Sequence, residues 1–211
     1  NKVMEGALSS RLVKMFNEGF PITHLLNFVD RLNKNPSYRA IQELYGFLEA
    51  NSLPITTDGY FLAYKRVRDD YKDVFSGTMD NSVGAVVEMP RNEVDDNRDR
   101  TCSAGLHFCG YSYLQHFRGS RIVVLKIDPA DVVSIPSDYN NQKGRACRYT
   151  VVEEIENTED AVKNDCLGTG PAVVKIHETK KSQSVEVVFY DLSESQVGDL
   201  VSTLLNNTGK Y

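Results

Sequence analysis

Hydrophobic residues in the first quarter of the chain recur at the three- and four-residue spacing of helices. The spacing predicts three helices, over residues 6–17, over residues 23–32 with Thr23 as the cap, and over residues 36–51. Asn35 is expected as the N-cap of the third helix and Pro36 in its first turn, where the missing N–H of proline has no cost. Residues 1–56 are therefore predicted to form a helical module.

From residue 57 onward, the pattern changes to short apolar runs bounded by glycine, proline and aspartate, which is typical of strands. Five strands are predicted, over residues 60–67, 83–89, 121–127, 132–135 and 148–153. A short helix is expected at 112–117, and the segment 138–148 is expected to be a loop. Residues 57–156 are therefore predicted to form a mixed β core.

Residues 157–172 contain the turn-forming residues of a linker, and two further apolar runs follow at 172–177 and 184–191. Ser193 and Gln196 have the spacing of a capping box, which predicts a closing helix. Residues 157–211 are thus predicted to form a linker plus a ββα extension, which completes a sheet or mediates self-association. The fold class expected for the whole chain is α+β.

The composition is that of a globular protein, with 41% hydrophobic and 25% charged residues among 211. No apolar run reaches the roughly 18 residues of a membrane span, and no apolar signal core lies near the first residue. A net charge of −5 argues against duplex nucleic acid as a partner, because duplex binding needs a basic face. Four cysteines are too few for a disulfide scaffold, which favours a reducing compartment.

A set of residues along the predicted β core is suited to a nucleotide-sized ligand. Two tyrosines four apart on one strand face the same side and can stack on a base, and basic side chains can donate charge-assisted hydrogen bonds to a phosphate. We expect a cleft between the first strand, the strand that carries His107, and the segment 138–148. Its predicted ligand-binding residues are Tyr60, Tyr64, Lys65, His107, Arg145 and Arg148. The alternative for the same residues is structural, with tyrosines in the core and arginines at the surface.

The densest cluster of reactive residue types lies at residues 101–109, with Cys102, His107 and Cys109. Together with Cys147 these are candidate zinc ligands, but the common Cys-x-x-Cys pair is absent, so buried thiols are the preferred interpretation. A nucleophilic Cys109–His107 pair is a further alternative. The acidic run at 95–100 lacks the spacing of a calcium loop. No metal and no cofactor is predicted.

Short motifs follow one another in a fixed order between residues 12 and 155. They are Asn35-Pro36-Ser37, Thr57-Asp58-Gly59-Tyr60-Phe61, Ala63-Tyr64-Lys65, Asp80-Asn81-Ser82, Met89-Pro90-Arg91, Thr101-Cys102-Ser103, Gly105-Leu106-His107, Asp131-Val132-Val133-Ser134-Ile135-Pro136 and Asp138-Tyr139-Asn140. This series resembles the C-terminal region of the rIIB lysis proteins of T-even bacteriophages, over about two thirds of the chain. Residues 157–211 are assigned no counterpart.

The resemblance to rIIB proteins implies a phage early protein that acts with an rIIA partner and is associated with the host membrane. It further implies protection of the infection against prophage-encoded exclusion. It implies no particular biochemical activity.

A second resemblance concerns the fold. Gly105-Leu106-His107-Phe108-Cys109, the short helix after it and the strand at 121–127 resemble the centre of ADP-ribosyltransferase-like domains. The resemblance implies that 148–154 is the late strand, with Glu153 or Glu154 in the place of the catalytic glutamate. His107 stands where many members have tyrosine, and the His-Gly-Thr and Ser-Thr-Ser motifs are absent. We therefore expect a nucleotide-sized cleft without transferase activity.

The leading prediction is a phage-encoded counter-defence or host-takeover protein that works by binding rather than by turnover. Its expected partners are a host defence protein or a nucleotide-type immune signal, with an rIIA-like phage protein and a second copy of the chain as further candidates. No catalytic residue is assigned. The alternatives are an ADP-ribosyltransferase-like enzyme that uses NAD and a zinc-stabilised interaction module. The expected location is the host cytoplasm, peripheral to the membrane through partners.

Overall fold

A computed structural model describes the protein at residues 22–137 and 142–155. Within these ranges two helices come first, α1 at Thr23–Leu32 and α2 at Tyr38–Ala50. The strands are β1 Phe61–Val67, β2 Val86–Glu88, β3 Leu106–Cys109, β4 Arg121–Ile127, β5 Val132–Ser134, β6 Lys143–Ala146 and β7 Arg148–Ile155. Short 3₁₀ helices lie at Arg91–Glu93, Tyr111–His116 and Pro129–Asp131.

The strands form one seven-stranded sheet in the order β2-β7-β4-β1-β3-β6-β5. Every described pair of strands is antiparallel. The α+β class is therefore confirmed, whereas a mixed sheet of five strands was wrong. The two strands missing from the predicted five are the four-residue strands β3 and β6, and an apolar run carries no information on whether its neighbours are parallel or antiparallel.

The segment predicted as a loop at 138–148 contains the strand β6. This strand pairs with β3 on one side and β5 on the other, and all four of its residues are buried. Gly144 is required at its centre, because a Cβ there would collide with the ring of Phe108. The residues of β6 are polar or small, so no apolar alternation marked them as a strand.

Both helices begin with caps that differ from the predicted ones. Thr23 is the first residue of α1, whose N-cap is Ile22. The cap of α2 is Ser37, whose hydroxyl accepts a hydrogen bond from the N–H of Ala40 at 3.2 Å. The buried Asn35 instead donates to the carbonyls of Pro129 and Val132, which ties the start of α2 to β5.

Helices α1 and α2 bury their apolar faces in the same hydrophobic cluster as the sheet. Phe28 and Phe47 are almost fully buried there, together with Phe61 and Phe108. The ring of Phe108 packs edge-on against those of Phe47 and Phe61, with centroids 5.6 Å apart in both cases. Edge-to-face geometry is favourable for aromatic pairs, so this cluster fixes the helices on β1 and β3.

The short helix predicted at 112–117 is confirmed as the 3₁₀ helix Tyr111–His116. Together with Cys109 and Ile122, its residues Tyr111, Tyr113 and Leu114 form a second, smaller hydrophobic cluster. The helix predicted at 6–17 and the ββα extension at 157–211 lie outside the described residues. The division of the chain at residues 56 and 156 stays a prediction.

Candidate functional site

Three of the six predicted ligand-binding residues meet on the adjacent strands β1, β3 and β6. His107 and Arg145 are direct partners in the β3–β6 ladder. The ammonium group of Lys65, on β1, donates a hydrogen bond to the backbone carbonyl of His107 at 3.1 Å. We call Lys65, His107 and Arg145 the polar centre.

Arg145 has no exposed surface. Its Nη1 donates to the carbonyl of Arg100 at 3.1 Å, and its Nη2 donates to the carbonyl of Asn97 at 2.6 Å. A third bond joins Nη2 to the hydroxyl of Ser134 at 3.2 Å. A buried charge is costly unless polar groups surround it, and here backbone carbonyls and a hydroxyl do so. The guanidinium therefore fixes residues 97–100 on the sheet.

The 95–103 loop, which Arg145 contacts, is organised by Asp95. The carboxylate of Asp95 accepts a hydrogen bond from the hydroxyl of Ser103 and another from the N–H of Asn97 at 2.9 Å. These two hydrogen bonds, with a smaller contribution from Arg100, lower the pKa of Asp95 to about 2. The run 95–100 is thus held by internal hydrogen bonds, although its residues are exposed or half-buried.

His107 forms the second link between the 95–103 loop and the sheet. Its Nε2 lies 2.8 Å from the carbonyl oxygen of Ser103. Because a carbonyl can only accept, Nε2 carries the proton. Burial lowers the pKa of His107 to about 4, and the nearby charges of Lys65 and Arg145 contribute to the lowering. The ring is therefore neutral at pH 7 and serves as a hydrogen-bond donor.

Lys65 is the member of the polar centre closest to titration at physiological pH. Burial lowers the pKa of its amine to about 8, and the charge of Asp73 partly offsets this effect. Its Nζ also lies 5.8 Å from the centre of the Tyr149 ring. The carbonyl of His107 and this ring face compensate for lost hydration, so Lys65 remains mainly charged at pH 7.

The two tyrosines of the predicted cleft make contacts within the protein. Tyr60 precedes β1, and its ring lies 3.8 Å from the guanidinium carbon of Arg31 and 4.6 Å from the Nζ of Lys126. Tyr64 packs edge-on against Tyr111, with ring centroids 5.0 Å apart and an interplanar angle of 85°. The face of the Tyr60 ring is therefore in contact with the cations of Arg31 and Lys126, and the ring of Tyr64 is packed against Tyr111.

Arg148 is the most exposed cation of the predicted set. It is the first residue of β7, and its guanidinium lies 3.8 Å from the carboxylate of Glu88 on β2. Such an exposed pair contributes little to stability. The ligand-binding role of all six residues stays a prediction, but for Arg145 and His107 the contacts establish a structural role that the residue types did not indicate.

Two of the three described cysteines, Cys109 and Cys147, are buried, and burial raises the pKa of both thiols. Cys109 is buried, and its Sγ donates to the carbonyl of Tyr64 at 3.4 Å. Burial raises the pKa of this thiol, so it stays protonated beside His107. Within residues 22–137 and 142–155, no three histidine, cysteine, aspartate or glutamate side chains come together to hold a metal ion.

Sequence reasoning missed the 73–79 loop, which lies between β1 and β2. The carboxylate of Asp73 accepts hydrogen bonds from the N–H groups of Ser76, Thr78 and Met79 at 2.6, 3.2 and 2.9 Å, and from the Ser76 hydroxyl at 2.6 Å. Burial opposes ionisation, yet these bonds lower the pKa of Asp73 to about 2. The available signal was the local spacing of Asp73 and Ser76, which is typical of a side chain that closes its own turn.

Exposed apolar side chains are concentrated near this loop and on β2. Phe75 is 102% exposed and Val74 is 40% exposed at the tip of the loop. Val83 is 54% exposed three residues before β2, and Val86 is 50% exposed as its first residue. The strand β2 is an edge strand that pairs with β7 and with no other described strand. Large apolar side chains that cluster at the surface mark interaction sites more often than isolated ones do.

The structure defines the class of protein as α+β with one antiparallel sheet. The polar centre holds the 95–103 loop on this sheet, and apolar side chains are exposed at the 73–79 loop and beside β2. The family model described as Bacteriophage T4 protein rIIB matches residues 2–197. The Protein rIIB of Enterobacteria phage T4 is 46% identical over 157 residues, which cover 74% of this chain and 50% of that relative. The chain belongs to the Bacteriophage T4 protein rIIB family.

The family match confirms the first resemblance and extends it to residue 197, beyond the point where the motifs ended. The chain spans about half the length of the curated relative it matches. In the described residues, no helix combines the length and the apolar character needed to cross a membrane.

The resemblance to ADP-ribosyltransferase-like domains receives no support, because no solved structure matches this chain. Glu154, one of the two residues in the place of the catalytic glutamate, accepts hydrogen bonds from the hydroxyl of Tyr71 at 2.7 Å and from Arg121 at 2.8 Å. These two donors lower the pKa of Glu154. The carboxylate thus joins β7 to β4 and to the residues that follow β1.

Proposed function

We propose that this rIIB-family protein acts in the infected host cell as a counter-defence or host-takeover protein, and that it works by binding a host defence protein. Binding to a protein rather than to a small anion is supported by the polar centre. Its donors already bond to carbonyls at Asn97, Arg100, Ser103 and His107. A phosphate that replaced these acceptors would remove the donors that hold the 95–103 loop on the sheet, which is unfavourable. The protein is placed in the host cytoplasm, peripheral to the membrane through its partners.

The observation that carries the choice of a protein partner is the edge strand β2. The carbonyl of Ala85 and the N–H of Met89 both bond towards the β7 side. Because inward and outward bonding alternate along an antiparallel edge, the backbone groups of Val86 and Glu88 point away from β7. Edge strands of this kind bind extended segments of other proteins, which add to the sheet as a further strand.

The side chains near this edge favour such an addition. Protected edge strands usually carry lysine, proline or a bulge. The three residues of β2 contain none of these; their one charge is Glu88, and Pro90 lies beyond the last residue of the strand. Val83 and Val86 supply apolar surface beside the open backbone groups. An extended apolar segment of a host defence protein is therefore the proposed occupant.

The test is plaque formation by phage that carry variants in the gene for this chain, on hosts with and without a prophage-encoded exclusion system. Lysines on an edge prevent strand addition, so the double variant Val83→Lys/Val86→Lys is expected to form plaques on the exclusion-free host only. Tyr38→Lys, at a position 53% exposed on α2, is the matched control and is expected to plate normally on both hosts. Normal plating of the double variant on the exclusion-positive host would contradict the proposal.

A nucleotide-type signal is the competing class of ligand. A ligand that binds the native state raises the melting temperature as its concentration increases. The proposal expects no such rise when ATP, NAD or a cyclic dinucleotide is added to the full chain. A rise in melting temperature that disappears in the His107→Gln variant would show instead that the protein binds nucleotides at the polar centre. Transfer of labelled ADP-ribose from NAD would show that the protein is an enzyme.

A further inference from the structure

The 73–79 loop presents a fully exposed aromatic ring on a hydrogen-bonded backbone. Phe75 is 102% exposed, yet the loop beneath it is closed by four hydrogen bonds to the carboxylate of Asp73. Two backbone bonds add to these, from the N–H of Asp73 to Met79 at 3.1 Å and from the N–H of Gly77 to Asp73 at 3.0 Å. Because the backbone that carries the ring is already ordered, binding through Phe75 needs little ordering of the loop, which favours an interface anchor.

A shallow depression of about 390 Å³ lies near the tip of the loop, lined by Arg68, Asp69, Asp70, Val74, Gly119 and Ser120. Val74 lines the depression and is the neighbour of Phe75, so ring and depression belong to one surface. The floor of the depression is fixed, because the N–H of Ser120 donates to Val67 and its hydroxyl donates to Asp69. Gly119 places no side chain on that floor.

We propose that two copies of this chain pair through this surface, with the Phe75 ring of each copy seated in the depression of the other. Because ring and depression are adjacent on one surface, a two-fold axis between the copies lets both rings seat at the same time. An interface of this kind uses the same patch on both partners and therefore closes at a dimer. The proposal uses no residue of β2 and does not depend on the proposed function.

The rim of the depression is complementary in charge to a second copy of itself. The side chains of Arg68 and Asp70 are each 54% exposed, and their own ion pair is loose at 3.5 Å. The proposed two-fold pair brings Arg68 of one copy towards Asp69 and Asp70 of the other. Opposite charges that meet across an interface fix its register and accelerate association.

The size of the surface determines the affinity to expect. Stable dimers bury roughly 800 Å² on each partner, and one ring with its rim is a small part of that. The dimer is therefore expected to form at concentrations of tens to hundreds of micromolar and to dissociate on dilution.

Fluorescence tests this proposal at the site itself, because the chain contains no tryptophan. In the Phe75→Trp variant of the full chain, emission is expected to move to shorter wavelength as the protein is concentrated, since the indole leaves water. Sedimentation velocity of the wild type is expected to show the dimer over the same concentration range. Unchanged emission together with a monomer at all concentrations would overturn the proposal.

Matched variants distinguish this surface from any other route to a dimer. Phe75→Ser is expected to remain monomeric where the wild type dimerises, and Tyr38→Ser is expected to behave as the wild type. Arg68→Glu is expected to weaken the dimer, and Arg68→Glu/Asp70→Arg to restore it. A dimer that persists in Phe75→Ser, or one that Tyr38→Ser also abolishes, would overturn the proposal.

Discussion

The polar centre and the 73–79 loop place their side chains in opposite ways. In the polar centre, the charged donors of Arg145 and Lys65 turn inward and meet carbonyl oxygens. In the loop, the carboxylate of Asp73 turns inward while the ring of Phe75 faces water. Arg145 and Lys65 thus stabilise the fold through internal hydrogen bonds, whereas Phe75, which is fully exposed in the described structure, belongs to the proposed binding surface.

The two regions also share a device, since one side chain closes a loop in each. Arg145 does so as a buried donor and binds the carbonyls of the 95–103 loop. Asp73 does so as an acceptor and binds the N–H groups of its own loop. The comparison therefore predicts large stability effects at the polar centre and small ones at the exposed tip of the 73–79 loop.

The largest effect is expected from Arg145→Ala. It removes three hydrogen bonds and the packing of a fully buried side chain, so the free energy of unfolding should fall by about 3 kcal/mol. Arg148→Ala, at an exposed position, is the matched control and should change it by less than about 0.5 kcal/mol. Urea unfolding measures both values. Equal losses of unfolding free energy in the two variants would contradict the structural role assigned to Arg145.

The second effect is a dependence of stability on pH that His107 produces. Its pKa is about 4 in the folded chain and about 6.5 in the unfolded chain, so the unfolded chain binds the extra proton first as the pH falls. Stability is therefore lost as the pH falls from 6.5 to 4, by about 2.5 kcal/mol. The His107→Gln variant should lose less over this range in urea unfolding, and an identical loss would contradict the assignment.

The third effect concerns the loop and not the global fold. The pKa of Asp73 is about 2, below its usual value of 3.8, so its contribution is fully present above that usual value and lost as the pH falls towards 2. Asp73→Asn should speed hydrogen exchange at Ser76, Thr78 and Met79, because a neutral amide accepts more weakly. Asp70→Asn, at an exposed neighbour, serves as the control. Unchanged exchange in Asp73→Asn would show that the carboxylate does not close the loop.

The smallest effect is expected from Phe75→Ser in dilute solution. The ring is fully exposed, so its removal should change the free energy of unfolding by less than about 0.5 kcal/mol. Thermal or urea unfolding below the dimerisation range gives the value. A loss above about 1 kcal/mol, the usual cost of removing a packed group, would mean that the ring is covered in solution.

The bounds of strands could be predicted from the sequence where apolar runs are continuous. The strand β4 has the predicted bounds, Arg121–Ile127, and β1 differs by one residue, because β-branched and aromatic runs end there at turn signals. The strand β6 was missed because Lys143 and Arg145 are buried only through contacts with distant parts of the chain. Likewise, residue type identified Arg145 and His107 as chemically capable but carried no information about their internal acceptors.

The most direct test of the central claim is NMR of the His107 ring in the wild-type protein, with and without nucleotides. The account predicts a ring that titrates with a pKa near 4, protonated on Nε2 when neutral, and with signals that ATP, NAD and cyclic dinucleotides leave unchanged. A saturable shift of these signals on addition of a nucleotide, or a pKa near the ordinary 6.5, would contradict it.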